Sequence, residues 1–217
     1  MKIAALGTGI VGATIATKLV ALGHDVMMGS RSATSPAAAE WAAAAGGAAG
    51  HGTFADAAAH GAVVVNCTSG AASLAALDAA GAGNLAGKLL IDVANPLDFS
   101  HGMPPSLTVC NTDSLAEQIQ RAHPDARVVK ALNTVNCAVM VDPSRIPGAH
   151  HLPICGDDEG AKREAAELIG TFGWPPDAFL DLGDLTAARA TEMYVLLWVR
   201  LYGATGTADV SIRVVRG

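Results

Sequence analysis

The 217-residue sequence predicts a doubly wound α/β fold with a mainly parallel sheet, completed by a small C-terminal helix–strand extension. Three observations carry that expectation. Strand-like apolar runs alternate with helical patterns almost throughout, as repeated βα units with right-handed crossovers require. Runs such as Ala62–Asn66 are apolar and β-branched without a polar face, the pattern of strands buried on both sides. A glycine-rich turn, Gly7-Thr8-Gly9-Ile10-Val11-Gly12, follows the first apolar run directly and opens a helix.

The elements follow in order. Residues 1–6 form a short apolar strand, Ile10–Leu22 a helix and Asp25–Met28 a second strand. Pro36–Ala45 is an alanine-rich helix, with Ser35 placed to cap it and Pro36 at its first position. Phe54–His60 is a short helix before the buried strand Ala62–Asn66; Ser73–Ala80 is helical and Leu89–Val93 is the next strand. Residues 98–112, with Pro104, Pro105 and His101, read as loop. Ser114–His123 is a helix and Arg127–Leu132 another buried strand. Beyond these, His150–Cys155 reads as a strand, Glu159–Phe172 as an amphipathic helix and Leu180–Leu182 as a short extended piece. Leu185–Tyr202 is the longest helix, and Val210–Val215 alternates like a terminal strand. No internal repeat or disordered linker is visible, and a soft boundary near residue 150 separates a main domain, 1–150, from a smaller region, 151–217.

Composition excludes several function classes. Hydrophobic residues make up 51% of the chain but aromatics only 4%, which suits helices packed closely on a sheet and disfavours a base-stacking surface. A net charge of −6 disfavours nucleic acid and anionic membrane as partners. The strongest apolar run, Met193–Val199, is short of membrane-spanning length and bracketed by Glu192 and Arg200. The Lys2-led N-terminal run contains the glycine turn and no separate cleavage region, so it is expected to be structural rather than a signal peptide. Cys67, Cys110, Cys137 and Cys155 lie far apart, which suggests buried thiols in a reducing cytoplasm rather than disulfides or a zinc site.

The glycine turn has the spacing of a dinucleotide fingerprint. Gly7 permits the tight turn, Gly9 lets a diphosphate approach the backbone and Gly12 lets the helix pack closely on the strand. After the second strand, where an NAD site usually places a carboxylate, stand Ser30, Arg31 and Ser32. A guanidinium and two hydroxyls suit a ribose 2′-phosphate, so the expected coenzyme is NADP(H). The fold is then Rossmann-type, whose ligands sit beyond the carboxyl ends of the strands. Cys67, Thr68 and Ser69 follow one strand, Ala94, Asn95, Pro96 and Leu97 another, and Asn133, Thr134, Val135 and Asn136 a third. Any one group alone serves equally as a helix cap or turn; together at one sheet edge they are better explained as one nucleotide cleft.

No acid–base pair is nominated as catalytic, and no metal site is expected. His150 and His151 are adjacent on a strand and point to opposite faces. Asp157, Asp158 and Glu159 read as a dipole-favoured cluster at a helix start. Met193, Leu196, Leu197 and Val199 read as core. Direct hydride transfer between two bound redox rings needs alignment and exclusion of water rather than a proton donor.

Gly7–Gly12, Gly29-Ser30-Arg31, Ile91–Leu97, Lys130–Thr134, Cys155–Asp158 and Asp181–Arg189 together resemble the NADPH-dependent coenzyme F420 reductase family, over nearly the whole chain. A related pattern occurs in the cytosolic oxidoreductase domain of six-transmembrane metalloreductases. The resemblance implies NADPH along Gly7–Gly12, its 2′-phosphate at Ser30, Arg31 and Ser32, and Ser69 on the ribose-diphosphate side. It implies the nicotinamide near Asn95, Pro96 and Leu97, and a flavin-like acceptor, coenzyme F420 or FMN, near Asn133, Thr134, Val135 and Asn136. It also implies a homo-oligomer, with Leu185–Tyr202 as a contact surface. Reduction of a small carbonyl or imine, and a non-catalytic NADP-binding redox sensor, are the alternatives.

Overall fold

The computed structural model describes residues 1–217. In chain order the elements are β1 (Lys2–Leu6), α1 (Ile10–Ala21), β2 (Asp25–Ser30), α2 (Pro36–Ala45), β3 (Ala49–Thr53), α3 (Phe54–His60), β4 (Val63–Asn66), α4 (Gly70–Ala80) and α5 (Ala82–Leu85). Then come β5 (Leu89–Asp92), β6 (Leu97–Asp98), β7 (Ser106–Leu107), α6 (Leu115–Ala122), β8 (Arg127–Ala131), α7 (Cys137–Val141), β9 (Leu152–Cys155), α8 (Glu159–Gly170), β10 (Phe179–Asp181) and α9 (Ala188–Thr205).

Eight strands form one sheet in the order β10-β9-β8-β5-β4-β1-β2-β3. The pairs from β3 to β8 are parallel, β9 runs antiparallel to β8, and β10 is parallel to β9. This is the doubly wound order, in which chain direction across the sheet reverses between β1 and β4. The β9–β10 extension joins the same sheet rather than standing apart from it.

Buried parallel strands send alternate side chains to opposite faces, and the core divides accordingly. Val63 and Val65 pack with Ile3, Ala5, Ile15 and Leu19 on one face. Val64 packs with Ala4, Leu6, Leu77 and Leu90 on the other. Helices therefore cover both faces, and the free space lies at the strand ends. The register sets those ends level: Leu6 lies opposite Gly29 and Asn66, and Asp92 opposite Asn66 and Lys130.

Local chemistry accounts for the boundaries. Ser35 caps α2, its hydroxyl accepting from Ala38 N, with Pro36 at the first position. Thr53 and Asp56 form a reciprocal capping box at α3. The Asp158 carboxylate accepts from Ala161 N at 2.8 Å and starts α8.

Four expectations are corrected. Val210–Val215 is not a strand: only His151 and Ile212 bridge, because both edges of β9 are already occupied by β8 and β10. Residues 98–112 are not pure loop, since β6 pairs with β7. Met193, Leu196 and Leu197 are exposed, not core; the buried stripe of α9 is Ala188, Thr191, Glu192 and Val195. Of the four free thiols only Cys67 and Cys155 are buried. The structure also adds β3, whose Ala-Gly-His-Gly-Thr sequence has no apolar run to announce it. No helix is long and apolar enough to cross a membrane.

A candidate dinucleotide cleft

Two adjoining cavities occupy the carboxyl ends of the parallel strands. The first, about 960 Å3, is lined by Gly7, Thr8 and Gly9, by Ser30, Arg31 and Ser32, and by Cys67, Thr68 and Ser69. The second, about 540 Å3, is lined by Val11, Cys67–Ala71, Val93, Ala94, Asn95 and Leu97, and by Asn133–Cys137. Cys67, Thr68 and Ser69 belong to both, so the cavities meet beside the point where β1 and β4 part.

The glycine turn is built as its spacing implies. Gly7 has φ +118°, and a Cβ there would lie 2.8 Å from Cys67 O. A Cβ on Gly12 would lie 2.1 Å from Gly7 O, so this position holds α1 against the turn. A Cβ on Gly9 meets nothing within 4 Å: that face is open to a ligand. The N-terminus of α1 has no side-chain cap, and neither has that of α4, although Ser69 stands at its N-cap. Two helix starts thus offer free N–H groups and dipole ends at the cleft, an arrangement suited to a diphosphate.

Not every nominated residue faces the space. Ile10, Gly12 and Pro96 line neither cavity. The Ser30 hydroxyl is buried and donates to Ser32 O at 2.6 Å, bracing the turn that presents Arg31 and Ser32. Asn136 is fully engaged: Oδ1 accepts from Ala138 N and Val139 N, while Nδ2 donates to Ala208 O and Asp209. It starts α7 and ties down the C-terminal segment.

Other lining residues escaped the sequence reading. Ala72, Ala75, Ala76 and Ala79 form a smooth wall on α4 facing Thr53, Phe54 and Ser35. Their i, i+3, i+4, i+7 spacing was visible, but in an alanine-rich chain it carries no distinction. Phe99, Met140, Val195 and Trp198 close the second cavity. Trp198 stacks on Tyr202 at 5.7 Å, with planes 9° apart.

A buried polar network supports the floor. Asn66 Nδ2 donates to Asp92 Oδ1 at 2.8 Å and to Ser73 Oγ at 3.1 Å. Thr68 Oγ1 donates to Asn66 Oδ1 at 2.7 Å. Lys130 Nζ lies 2.7 Å from Asp92 and 2.9 Å from Glu192, and also donates to Ala94 O. Glu192 in turn accepts from Leu115 N and Ala116 N at the start of α6. Burial pushes the Glu192 carboxyl upward, against the pull of Lys130. Burial, with help from Asp92, also pushes the Cys67 thiol far above its usual value, so it is no nucleophile at neutral pH. The paired histidines are structural: His150 is hydrogen-bonded to Ser211 and Pro143 O, and His151 Nδ1 accepts from Val214 N.

The lining of the second cavity is apolar, with uncharged amides, hydroxyls and thiols as its only polar side chains besides the Trp198 indole. Such a cavity accommodates flat conjugated rings and offers them hydrogen bonds without charge.

A coenzyme cleft at the switch point of a doubly wound sheet is the architecture of an NADP-dependent oxidoreductase, and the comparisons agree. Residues 2–96 match the family described as NADP oxidoreductase, coenzyme F420-dependent. A candidate F420-dependent NADP reductase from Arthrobacter sp. FB24 is 50% identical, superposes with a TM-score of 0.93, and is covered over the full length of both chains. The metalloreductase STEAP3 of Rattus norvegicus is 30% identical over 194 residues, 88% of this chain and 36% of that protein. The chain thus spans about a third of that curated relative. A reductive aminase from Aspergillus terreus in complex with NADPH and ethyl-5-oxohexanoate shares the fold, at 20% identity and a TM-score of 0.65 over 94% of this chain and 62% of its own. The chain belongs to the family of coenzyme F420-dependent NADP oxidoreductases.

Proposed function

We propose that the protein passes a hydride between NADP(H) in the first cavity and a flavin-like acceptor, a deazaflavin of the coenzyme F420 type or a flavin, in the second. The observation that carries this reading is the pair of adjoining cavities, one shaped for a dinucleotide and the other apolar and free of charged side chains. NADPH, when bound, supplies the hydride from its nicotinamide ring. Gly7, Thr8 and Gly9 with the first N–H groups of α1 hold the diphosphate, and Ser69 adds a hydroxyl at the start of α4. Arg31 and Ser32 hold the 2′-phosphate on the turn braced by Ser30. Ala94, Asn95 and Leu97 bound the nicotinamide side, and Asn133, Thr134 and Val135 the acceptor side. The largely apolar lining would exclude water and confine the two rings, which serves alignment rather than proton transfer.

A homo-oligomer belongs to the same reading: the exposed residues Met193, Leu196 and Leu197 form an apolar face on α9 suited to a second copy. The decisive experiment for the chemistry is anaerobic stopped-flow mixing of NADPH-loaded protein with oxidised coenzyme F420, and separately with FMN. Rapid loss of NADPH absorbance with either is expected, and the faster of the two names the acceptor. Tight NADPH binding with no oxidation by either overturns the reading in favour of a sensor or a small-substrate reductase.

A further inference from the structure

The inner wall of the second cavity carries hydrogen-bonding atoms that nothing in the protein uses. Asn133 and Thr134 are each 3% exposed. Both line the cavity, and Asn133 Oδ1 and Thr134 Oγ1 have no partner. Trp198 lines the same cavity, and its Nε1 is buried and equally unpaired. Buried polar atoms are nearly always hydrogen-bonded, and leaving one unpaired is costly. Three orphans on the residues of a single cavity point to a ligand.

The chemistry of each orphan is defined. Asn95 Nδ2 donates to Asn133 O at 2.8 Å, so Asn95 turns its Oδ1 toward the Asn133 amide. Only an N–H satisfies that oxygen, and Asn133 Nδ2 donates to it at 3.0 Å. The interlock leaves Asn133 Oδ1 as a fixed acceptor. Trp198 Nε1 is a donor only, and the Thr134 hydroxyl rotates to donate or accept. The backbone supports the arrangement: Leu132, immediately before this pair, holds φ +66°. A bulky residue in the left-handed region is rare, and such conformations cluster where a chain must present functional groups.

We propose that this wall recognises an N–H flanked by carbonyl oxygen. Asn133 Oδ1 accepts the ligand N–H, while Thr134 Oγ1 and Trp198 Nε1 donate to carbonyl oxygens beside it. Asn95 is a positioning residue that sets the Asn133 amide the right way round. The inference rests on the proposed meeting of two rings in this cavity. That edge has two sources there: the pyrimidine imide of a flavin-like acceptor, with a carbonyl on each side of its N–H, and the carboxamide of the nicotinamide.

The test is calorimetric binding to the full chain, with each ligand paired against a form lacking the N–H. One arm compares FMN with N3-methyl-FMN. The other compares NADP+ with its 3-acetylpyridine analogue, in which a methyl replaces the amide nitrogen. In at least one arm the masked ligand is expected to bind the unmodified protein ~10-fold more weakly, the scale of one well-made hydrogen bond at a buried site. Asn133→Ala should abolish that difference, and the arm that shows it identifies the source. Thr134→Val, nearly isosteric, should weaken the parent ligand several-fold while preserving the preference for N–H. If Asn133→Ala fails to fold, as judged by circular dichroism, the ligand pairs on the unmodified protein and on Thr134→Val decide. No difference in either arm, or one that survives in folded Asn133→Ala, overturns the proposal. Failure of the functional reading is separate: no hydride would pass to any flavin-like acceptor, while the carboxamide arm still reported.

Discussion

Arg31, exposed on the turn after β2, brings a guanidinium to the wall of the first cavity where the neighbouring side chains carry only hydroxyls. Charge-assisted contacts to a phosphate contribute roughly 1.5–3 kcal/mol. Arg31→Ala should therefore raise the dissociation constant of NADPH about 10- to 100-fold and leave NADH nearly unchanged; equal losses in a fluorescence titration of both would remove the 2′-phosphate from its role. Two glycines of one motif should respond in opposite ways. Gly9→Ala places its Cβ in open space, so the melting temperature should hold while dinucleotide affinity falls. Gly12→Ala drives a Cβ to 2.1 Å from Gly7 O, so it should lower the melting temperature even without ligand. At this scale the glycine turn and the strand-end positions were legible because they depend on local spacing. The orphaned atoms of Asn133, Thr134 and Trp198 were not, because an unpaired atom is defined by everything around it. Trp198, 65 residues from Asn133 in sequence, reaches the cleft only through the docking of α9.

Among the elements, β5, β8, α6 and α9 are joined by one buried ammonium. Lys130 pairs with both Asp92 and Glu192, and Glu192 also closes the start of α6. Breaking a buried ion pair from one side leaves an unpaired charge and typically costs about 3–5 kcal/mol. Lys130→Met should lower the urea-derived stability by that order, and adding Glu192→Gln should recover part of it by removing one stranded carboxylate. Simple additivity of the two losses would show that the three groups do not act as a unit. Nearby, Arg121 donates to Asp113 just before α6 and holds its carboxyl down to about 2. A folded pKa below the unfolded one stabilises fully above about 4, and that contribution is lost as pH falls toward 2. With the guanidinium largely in solvent, the contribution is of order 1 kcal/mol. Asp113→Asn should thus melt lower than the parent at neutral pH and converge with it near pH 2. The strands that carry these charges were readable as apolar runs, whereas β3 was not: an edge strand of small residues pairs through its backbone alone.

Across the whole molecule, α9 contributes to only one of the two adjoining cavities. No residue of that helix lines the first cavity, while Val195 and Trp198 wall the second. The outward face of α9 carries Met193, Leu196 and Leu197, with Leu197 54% exposed, and Tyr202 stands one turn further on. An i, i+3, i+4 apolar stripe on a helix whose opposite side is already buried is the pattern of a helix with a second partner. The sequence alone assigned these residues to the core, since helical periodicity marks an apolar face without saying whether the same chain or another copy covers it. If a second copy covers this face, light scattering will report a mass about twice the 21.8 kDa of one chain, and the melting temperature will rise with protein concentration. Leu197→Glu then places a charge in the contact and should return the mass to that of a single chain. Because Leu197 itself lines neither cavity, NADP+ affinity in that variant should stay within about twofold of the parent, where additivity between distant sites is the rule. A parent protein that already runs as a single chain would refute the contact, and an intact dimer after Leu197→Glu would move it to another face. A dimer that separates together with loss of NADP+ binding would instead tie the coenzyme cavity to the α9 face through the shared stretch Cys67–Ser69.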